Sequence, residues 1–250
     1  MIHDIVTGDC IEEMRSWIGT GIPVGYDLVV TDPPYNIGID YGSGAKADRR
    51  ADYVEWCREW IRLAAECLSP TGSMWIICGQ EYGAHIDLAM QAAGLTIRSR
   101  VTWHESFGVQ CRKKFARTSR PIFHAVKDPK RFTFNRDAVT VPSLRQTKYG
   151  DRRAAPGGKV MGDVWSISRV CGTFRERVAG VPTQLPEALV RRIIGVSSNP
   201  GDHVLDPFAG SGTVPAVAAA MGRTGVGIEK NSKYAAIATR RIGCAAGVAT

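Results

Sequence analysis

The stretch His203-Val204-Leu205-Asp206-Pro207-Phe208-Ala209-Gly210-Ser211-Gly212-Thr213 decides the fold. A short apolar run ends in Asp206, two glycines permit a tight turn, and residues 214–221 read as a helix. Strand, Gly-rich turn and helix in that order form the unit on which open parallel sheets bind nucleotides. Gly210 and Gly212 let the backbone approach a ligand closely, and the helix N-terminus attracts an anionic group such as a carboxylate. The strand expected over 224–228 is followed by Glu229, placed to accept hydrogen bonds from both hydroxyls of a ribose. The spacing is not GxGxxG, which argues against a dinucleotide. A nucleoside-type cofactor is therefore expected, the plainer alternative being an ordinary turn beside a surface glutamate.

A second apolar run, 26–31, has the character of a strand buried on both faces. It stops at Asp32-Pro33-Pro34-Tyr35, because prolines continue neither a ladder nor a helix. Further strands are expected at 2–6, 73–78, 95–103 and 121–127, the last two paired as a hairpin. Helices are expected at 11–18, 51–68, 80–93, 185–197 and 231–242, with Ser69-Pro70-Thr71-Gly72 ending the second of them. In that helix Tyr53, Trp56, Trp60, Leu63 and Cys67 form one stripe. Residues 37–50 read as a loop, either closing over a bound base or lying free on the surface. Residues 128–180 are irregular, rich in Gly, Pro and basic side chains. Strand–helix alternation on either side of them predicts an α/β fold, a doubly wound and mostly parallel sheet carrying a small irregular insertion.

Asp32 and Pro33 suit one kind of chemistry. An exocyclic amine of a base is a poor nucleophile because its lone pair is conjugated into the ring. A carboxylate at Asp32 can accept one amine hydrogen and the Pro33 carbonyl the other, which draws the nitrogen towards tetrahedral geometry and frees the lone pair. The prolines pre-aim the carbonyl, and Tyr35 offers a ring on which an extruded base stacks.

Charge points to a polyanionic partner. The chain of 250 residues carries a net +8, yet residues 98–177 hold 19 Lys/Arg against 6 Asp/Glu, a surplus of 13, so the remainder is at −5. Such a block inside an acidic globule fits nucleic acid better than an ordinary solvated face. No run reaches the ~20 apolar residues of a membrane span and no signal-peptide pattern opens the chain, so a cytoplasmic protein is expected. The seven cysteines show no CxxC pair and the five histidines no metal spacing, so neither a disulfide framework nor a metal is expected.

Asp32-Pro33-Pro34-Tyr35 together with Asp206-Pro207-Phe208-Ala209-Gly210-Ser211-Gly212 resembles the amino-methylating DNA methyltransferases, the N6-adenine/N4-cytosine family. The amine-site motif precedes the cofactor motif, as in the circularly permuted β group. The resemblance spans nearly the whole chain: Gly8-Asp9-Cys10, Asp163-Val164-Trp165, Pro182-Thr183-Gln184-Leu185-Pro186 and residues 191–194 also fit. It implies a sheet of the AdoMet-dependent methyltransferase type, permuted so that residues 2–6 lie beside 224–228 and Asp9, Asp32, Gly210 and Glu229 gather at the strands' carboxyl ends. It implies S-adenosyl-L-methionine as cofactor, held by Asp9, Cys10, Gln184, Asp206, Phe208, Gly210, Gly212, Thr213 and Glu229, with Asp32, Pro33, Pro34 and Tyr35 catalytic.

Residues 1–127 and 181–250 would form the catalytic domain and 128–180 the target-recognition domain, with 106–119 an accessory DNA-contacting loop. Arg112, Lys113, Lys114, Arg145, Lys148, Arg152 and Arg153 are the expected contacts to double-stranded DNA. A homodimer and a bacterial or phage origin follow from the resemblance alone. Asp32 favours adenine N6, where serine is typical of cytosine N4; both amines stay open, as does a non-catalytic DNA-binding relative. The chain departs from the family at Val181 (usually His), Leu185 (usually Lys) and Glu105 (usually the Lys of Trp-x-Lys). These departures bear on binding strength more than on reaction type.

Overall fold

The computed structural model describes residues 3–20, 25–42, 48–105, 111–153, 155 and 157–247. In chain order the elements are β1 (Asp4–Thr7), α1 (Cys10–Gly19), β2 (Tyr26–Thr31), α2 (Tyr53–Cys67), β3 (Leu68–Ile77), α3 (Gly83–Ala92), β4 (Thr96–His104) and β5 (Ser119–Val126). There follow β6 (Thr140–Val141), α4 (Leu144–Thr147), β7 (Lys159–Val160), β8 (Val164–Ser166), α5 (Glu187–Ser197), β9 (His203–Asp206), α6 (Thr213–Ala220), β10 (Thr224–Glu229) and α7 (Ser232–Gly247). Ile2 of the expected first strand, 43–47 of the expected loop and 106–110 of the expected accessory loop lie outside the described residues.

The main sheet runs β1-β10-β9-β2-β3-β5-β4-β8. The first five strands are parallel, β5 is antiparallel to β3 and β4, and β8 is parallel to β4. Side chains alternate along β2 as the two-residue period of a strand requires. Val29 packs with Met14, Trp60, Ile61, Ile86 and Met90 of α1–α3, whereas Leu28 and Val30 pack with Leu189, Ile193, Val214 and Val217 of α5 and α6. Each face of the sheet thus has its own core, the three-layer arrangement that an apolar run such as 26–31 implies. The expected closure of the permuted sheet is present: Asp4 partners Val226 and Thr7 partners Glu229.

One expectation needs correcting. Ser69-Pro70-Thr71-Gly72 does end α2, but it lies within β3, where the pairing with β2 shifts register between Tyr26 and Leu28. Residues 128–180 are mostly irregular and pack onto the main sheet and α5. Trp165 on β8 pairs with Trp103, Val139 and Trp165 are buried in the α5/α6 core, and Asn135 bonds both to Val196 (N to O, 2.8 Å) and to Ser198 (Nδ2 to O, 2.8 Å) at the end of α5. Among the described residues no helix is long and apolar enough to cross a membrane.

Candidate active site

A cleft of about 240 Å³ opens at the carboxyl ends of β1, β10, β9 and β2 and is lined in part by Asp9, Asp32, Asp206, Gly210 and Glu229. Two motifs separated by most of the chain are tied together beneath it, where the Thr31 hydroxyl donates to Asp206 Oδ1 at 2.8 Å inside the core. The same oxygen accepts the Phe208 N–H at 3.0 Å. Burial pushes the Asp206 carboxyl up to about 7; the two hydrogen bonds oppose the rise, while Asp32 and Glu229 add to it.

On the β10 side, Glu229 is held by two backbone donors, Gly210 N–H to Oε2 at 2.8 Å and Asn231 N–H to Oε1 at 2.7 Å. Each oxygen keeps a lone pair for a ligand. Burial raises the Glu229 pKa despite those bonds. The two glycines of the turn differ. Gly210 has φ +52° and a Cβ there would meet nothing closer than 4.0 Å, so it faces open space in the cleft. Gly212, at φ +74°, has Ala238 of α7 where a Cβ would be, 2.7 Å away. It serves helix packing, not the expected close approach to a ligand.

Thr213 begins α6, with Arg241 Nη1 donating to its hydroxyl at 2.8 Å and Arg241 Nη2 to Glu187 at 2.8 Å. Asp9 caps α1 by accepting the Ile11 N–H at 3.0 Å and pairs with Lys230 at 3.1 Å. Cys10 lines the cleft beside it, its thiol pKa pushed up by burial and by Asp9. Gln184 also lines the cleft, with its amide anchored to the chain: Oε1 accepts Val178 N–H at 2.8 Å and Nε2 donates to Glu176 O at 2.6 Å. One lone pair on Oε1 and one N–H on Nε2 remain beyond those two bonds. Val181 and Leu185 make that wall apolar. Opposite stand Phe208 and Trp56, ring centroids 5.4 Å apart, with Arg50 5.3 Å over the indole.

The described parts of the 37–50 loop are tethered. Buried Asp48 accepts the N–H groups of Ile37 (3.0 Å) and Gly38 (2.6 Å). Tyr41 reaches across to Asn231 (Nδ2 to Tyr41 O, 2.8 Å) and to Thr183 through its hydroxyl. The two non-glycine residues with positive φ among those described are Thr183, at the Tyr41 contact, and Asn36, which bonds Arg50 and Tyr82. A β-branched residue in that conformation marks a backbone held by its surroundings.

At the Asp32 end, Pro33 is buried and its carbonyl has no partner among the described residues, whereas the Pro34 carbonyl is taken by Tyr53 Oη at 2.6 Å. Tyr35 differs from expectation. Its ring is 9% exposed, its hydroxyl donates to Asp32 Oδ1, and the Arg120 guanidinium lies 5.3 Å over its face. The open stacking surface expected here is covered by that cation.

Arg120 also lies 5.4 Å over Trp103, donates from Nη1 to Tyr35 Oη at 3.1 Å, and pairs with buried Glu105 at 3.3 Å. Burial opposes the Arg120 charge, and Tyr35, Asp32 and Glu105 more than restore it, leaving its pKa raised. Burial raises the Asp32 carboxyl to about 6, against the opposing influence of Arg120 and the Tyr35 hydroxyl and with a further push from Glu105. Sequence reading missed Glu105 and Arg120 as site residues. The one signal was the unusual acid in Trp103-His104-Glu105, read with the hairpin register that sets Trp103 beside Arg120.

The expected DNA contacts fall in two places. Arg112, Lys113 and Lys114 are exposed on the loop joining β4 to β5 and join no ion pair among the described residues. Around α4, Arg145 and Arg153 both pair with Asp151, at 2.6 and 3.0 Å, Lys148 lies 5.6 Å over the Tyr149 ring, and Arg152 is exposed.

Comparison with known proteins adds independent findings. A family model described as DNA methylase, covering N6 and N4 enzymes, matches residues 26–240. The chain is 40% identical over 251 residues to the DNA adenine methyltransferase YhdJ of Escherichia coli (strain K12), covering 95% of this chain and 82% of that one. It is 36% identical over 217 residues to the Type II methyltransferase M.HpaI of Haemophilus parainfluenzae, covering 86% and 68%. Among solved structures, M1.HpyAVI in complex with SAM superposes with a TM-score of 0.72 at 22% identity, covering 96% of this chain and 99% of that one. The cytosine-N4-specific PvuII DNA methyltransferase superposes with 0.70 at 17% identity, covering 95% and 85%. These last two likenesses bear on the fold.

Proposed function

Because the chain belongs to the DNA methylase family of N6 and N4 enzymes, we propose that it methylates the exocyclic N6 of an adenine turned out of the duplex, at Asp32, Pro33, Pro34 and Tyr35. It is an AdoMet-dependent DNA methyltransferase. The observation that carries the reading of the site is the single cleft that joins Asp32 to Gly210 and Glu229, braced by the Thr31–Asp206 bond.

The cleft suits S-adenosylmethionine by its own chemistry. Glu229 offers free lone pairs for ribose hydroxyls, Gly210 leaves room beside the start of α6, and Trp56, Phe208, Val181 and Leu185 supply apolar walls. Asp9 and Asp206 add acidic groups suited to a ligand with cationic centres. When bound, the cofactor supplies an electrophilic methyl group on a positively charged sulfur. Asp32 and the free Pro33 carbonyl each accept one amine hydrogen, so the nitrogen lone pair is released from the ring and aimed. Tyr53 fixes the turn by occupying the Pro34 carbonyl, which leaves Pro33 as the acceptor. Asp32 must be ionised to do this, and Arg120 favours that form. Tyr35 turns from Asp32 to the incoming base when the amine replaces its hydroxyl as the carboxylate's partner.

Adenine is favoured by Asp32, by the resemblance stated above, and by the name of the Escherichia coli relative. Cytosine N4 is the second reading, since the same two acceptors serve that amine. Residues 128–180 read the target sequence, with Arg145, Lys148, Arg152 and Arg153 around α4 and Arg112, Lys113 and Lys114 on the β4–β5 loop meeting phosphates. The test is expression in a host without its own DNA methylases, followed by nucleoside mass spectrometry. N6-methyladenine should accumulate with wild type and vanish with Asp32→Ala. Accumulation of N4-methylcytosine instead selects the second reading, and neither base rising removes both.

A further inference from the structure

Phe115 is the most exposed large apolar side chain among the described residues, at 98%, well beyond Tyr149 (69%) and Leu144 (66%). It does not stand in a mixed surface. Arg112, Lys113, Lys114 and Arg117 surround it, all exposed, and no acidic residue occurs between 106 and 127. The run is fastened at the lip of the methyl-transfer site. Arg117 pairs with Glu81, Gln80 Nε2 donates to Ser119 O at 3.0 Å, and Thr118 O accepts the Glu105 N–H at 2.8 Å. Arg120 then reaches Tyr35 at 3.1 Å. Arg120 lies five positions after Phe115, so their Cα atoms are at most about 17 Å apart. A bare aromatic ring ringed by cations, a short tether away from the carboxylate that meets the base, matches what a duplex presents when a base leaves it: a flat apolar gap between two negatively charged strands.

We propose that Phe115 is a wedge that enters the duplex at the target base pair and fills the stack vacated by the base, while Lys113 and Lys114 hold the flanking phosphates. The proposal rests on the base-flipping reading above. It assigns Phe115 a positioning role, because the ring meets the DNA stack and not the reacting atoms. Since the ring is 98% exposed and packs against none of the described residues, Phe115→Ala leaves the fold intact.

Once the methylated site has been mapped by sequencing of host DNA, two duplexes of that site are compared, one fully matched and one with the target base mismatched and so already weakly stacked. Phe115→Ala should methylate the matched duplex about tenfold or more slowly than wild type, and the mismatched duplex at close to the wild-type rate. The salt dependence of its DNA binding should not change. Phe115→Trp should keep activity, and binding of the matched duplex should quench the added indole. Equal rates for Phe115→Ala and wild type on the matched duplex overturn the proposal. So does an equal loss on both duplexes, or an indole that binding leaves unquenched. Wild-type methylation of the matched duplex is scored in the same assay, so a failure there falls on the activity, while the quenching measurement still decides the wedge.

Discussion

Arg120 sits between two carboxylates with opposite needs. Glu105, 6% exposed, depends on it for charge compensation, and Asp32 depends on it to be ionised near neutrality. Arg120→Gln alone should therefore cost about 3–5 kcal/mol of stability in chemical denaturation, because Glu105 is left buried without a partner. The double change Glu105→Gln with Arg120→Gln removes the Glu105 charge together with its partner. In it Asp32 loses an influence that lowers its pKa and a smaller one that raises it. The acid limb of kcat/KM, expected near pH 6 in wild type, should move to higher pH. An unmoved limb would show that Arg120 does not set the charge of Asp32. Neither residue was legible as functional, because their meeting depends on the β4–β5 register and not on any local motif.

Asp206 carries a different consequence. Its folded pKa, about 7, lies above the ordinary 3.8. The native state therefore holds the proton more tightly, and the contribution of this group to stability falls as pH rises from about 4 to 7. Asp206→Asn keeps an oxygen for Thr31 and Phe208 and removes the penalty. At pH 8 it should be more stable than wild type by up to about 4 kcal/mol, and at pH 4 nearly equal to it. Its methylation should fall. Thermal melts at the two pH values check the crossover.

At the scale of elements, the turn between β9 and α6 was legible because an apolar run, two glycines and a helix-forming stretch have few other ways to fold. The division of labour within it was not. Gly210→Ala places an L residue at φ +52° in open space, a strain of about 1 kcal/mol, and should weaken AdoMet binding in titration calorimetry. Gly212→Ala adds a collision with Ala238 at 2.7 Å to the strain of φ +74° and should cost at least about 2 kcal/mol. Sequence spacing treats the two glycines alike because the neighbour that separates them, α7, arrives 26 residues later, at Ala238. The three-residue β8 was equally hidden. Its single buried residue, Trp165, gives no periodicity to read, and only the edge of β4 makes it a strand.

For the molecule as a whole, motif order made the permuted sheet legible, and charge counting found the basic block. The contribution of Val139 and Trp165 to the shared core was not legible, since composition shows where regular structure stops but not whether a segment contributes to a shared core. Among the described residues, Lys113 and Lys114 join no ion pair, whereas Arg145 and Arg153 share Asp151. DNA affinity should fall steeply with salt. Lys113→Ala with Lys114→Ala should lower the slope of log K against log salt by about 2, uniformly across sequences. Asp32→Ala should leave that slope unchanged. A duplex whose binding ignores salt would remove the phosphate contacts.

The pairing of Asp4 with Val226 has one more consequence, for the order in which the protein comes into being. A chain emerging from the ribosome can assemble β2, β3, β4 and β5 early, since these neighbours lie close in sequence. β1 must wait, its bonding edge unsatisfied, until β10 is delivered to it. The cleft is therefore completed only when β10 arrives, and a polypeptide stopped before that strand has Asp32 but lacks the Glu229 side of the cleft.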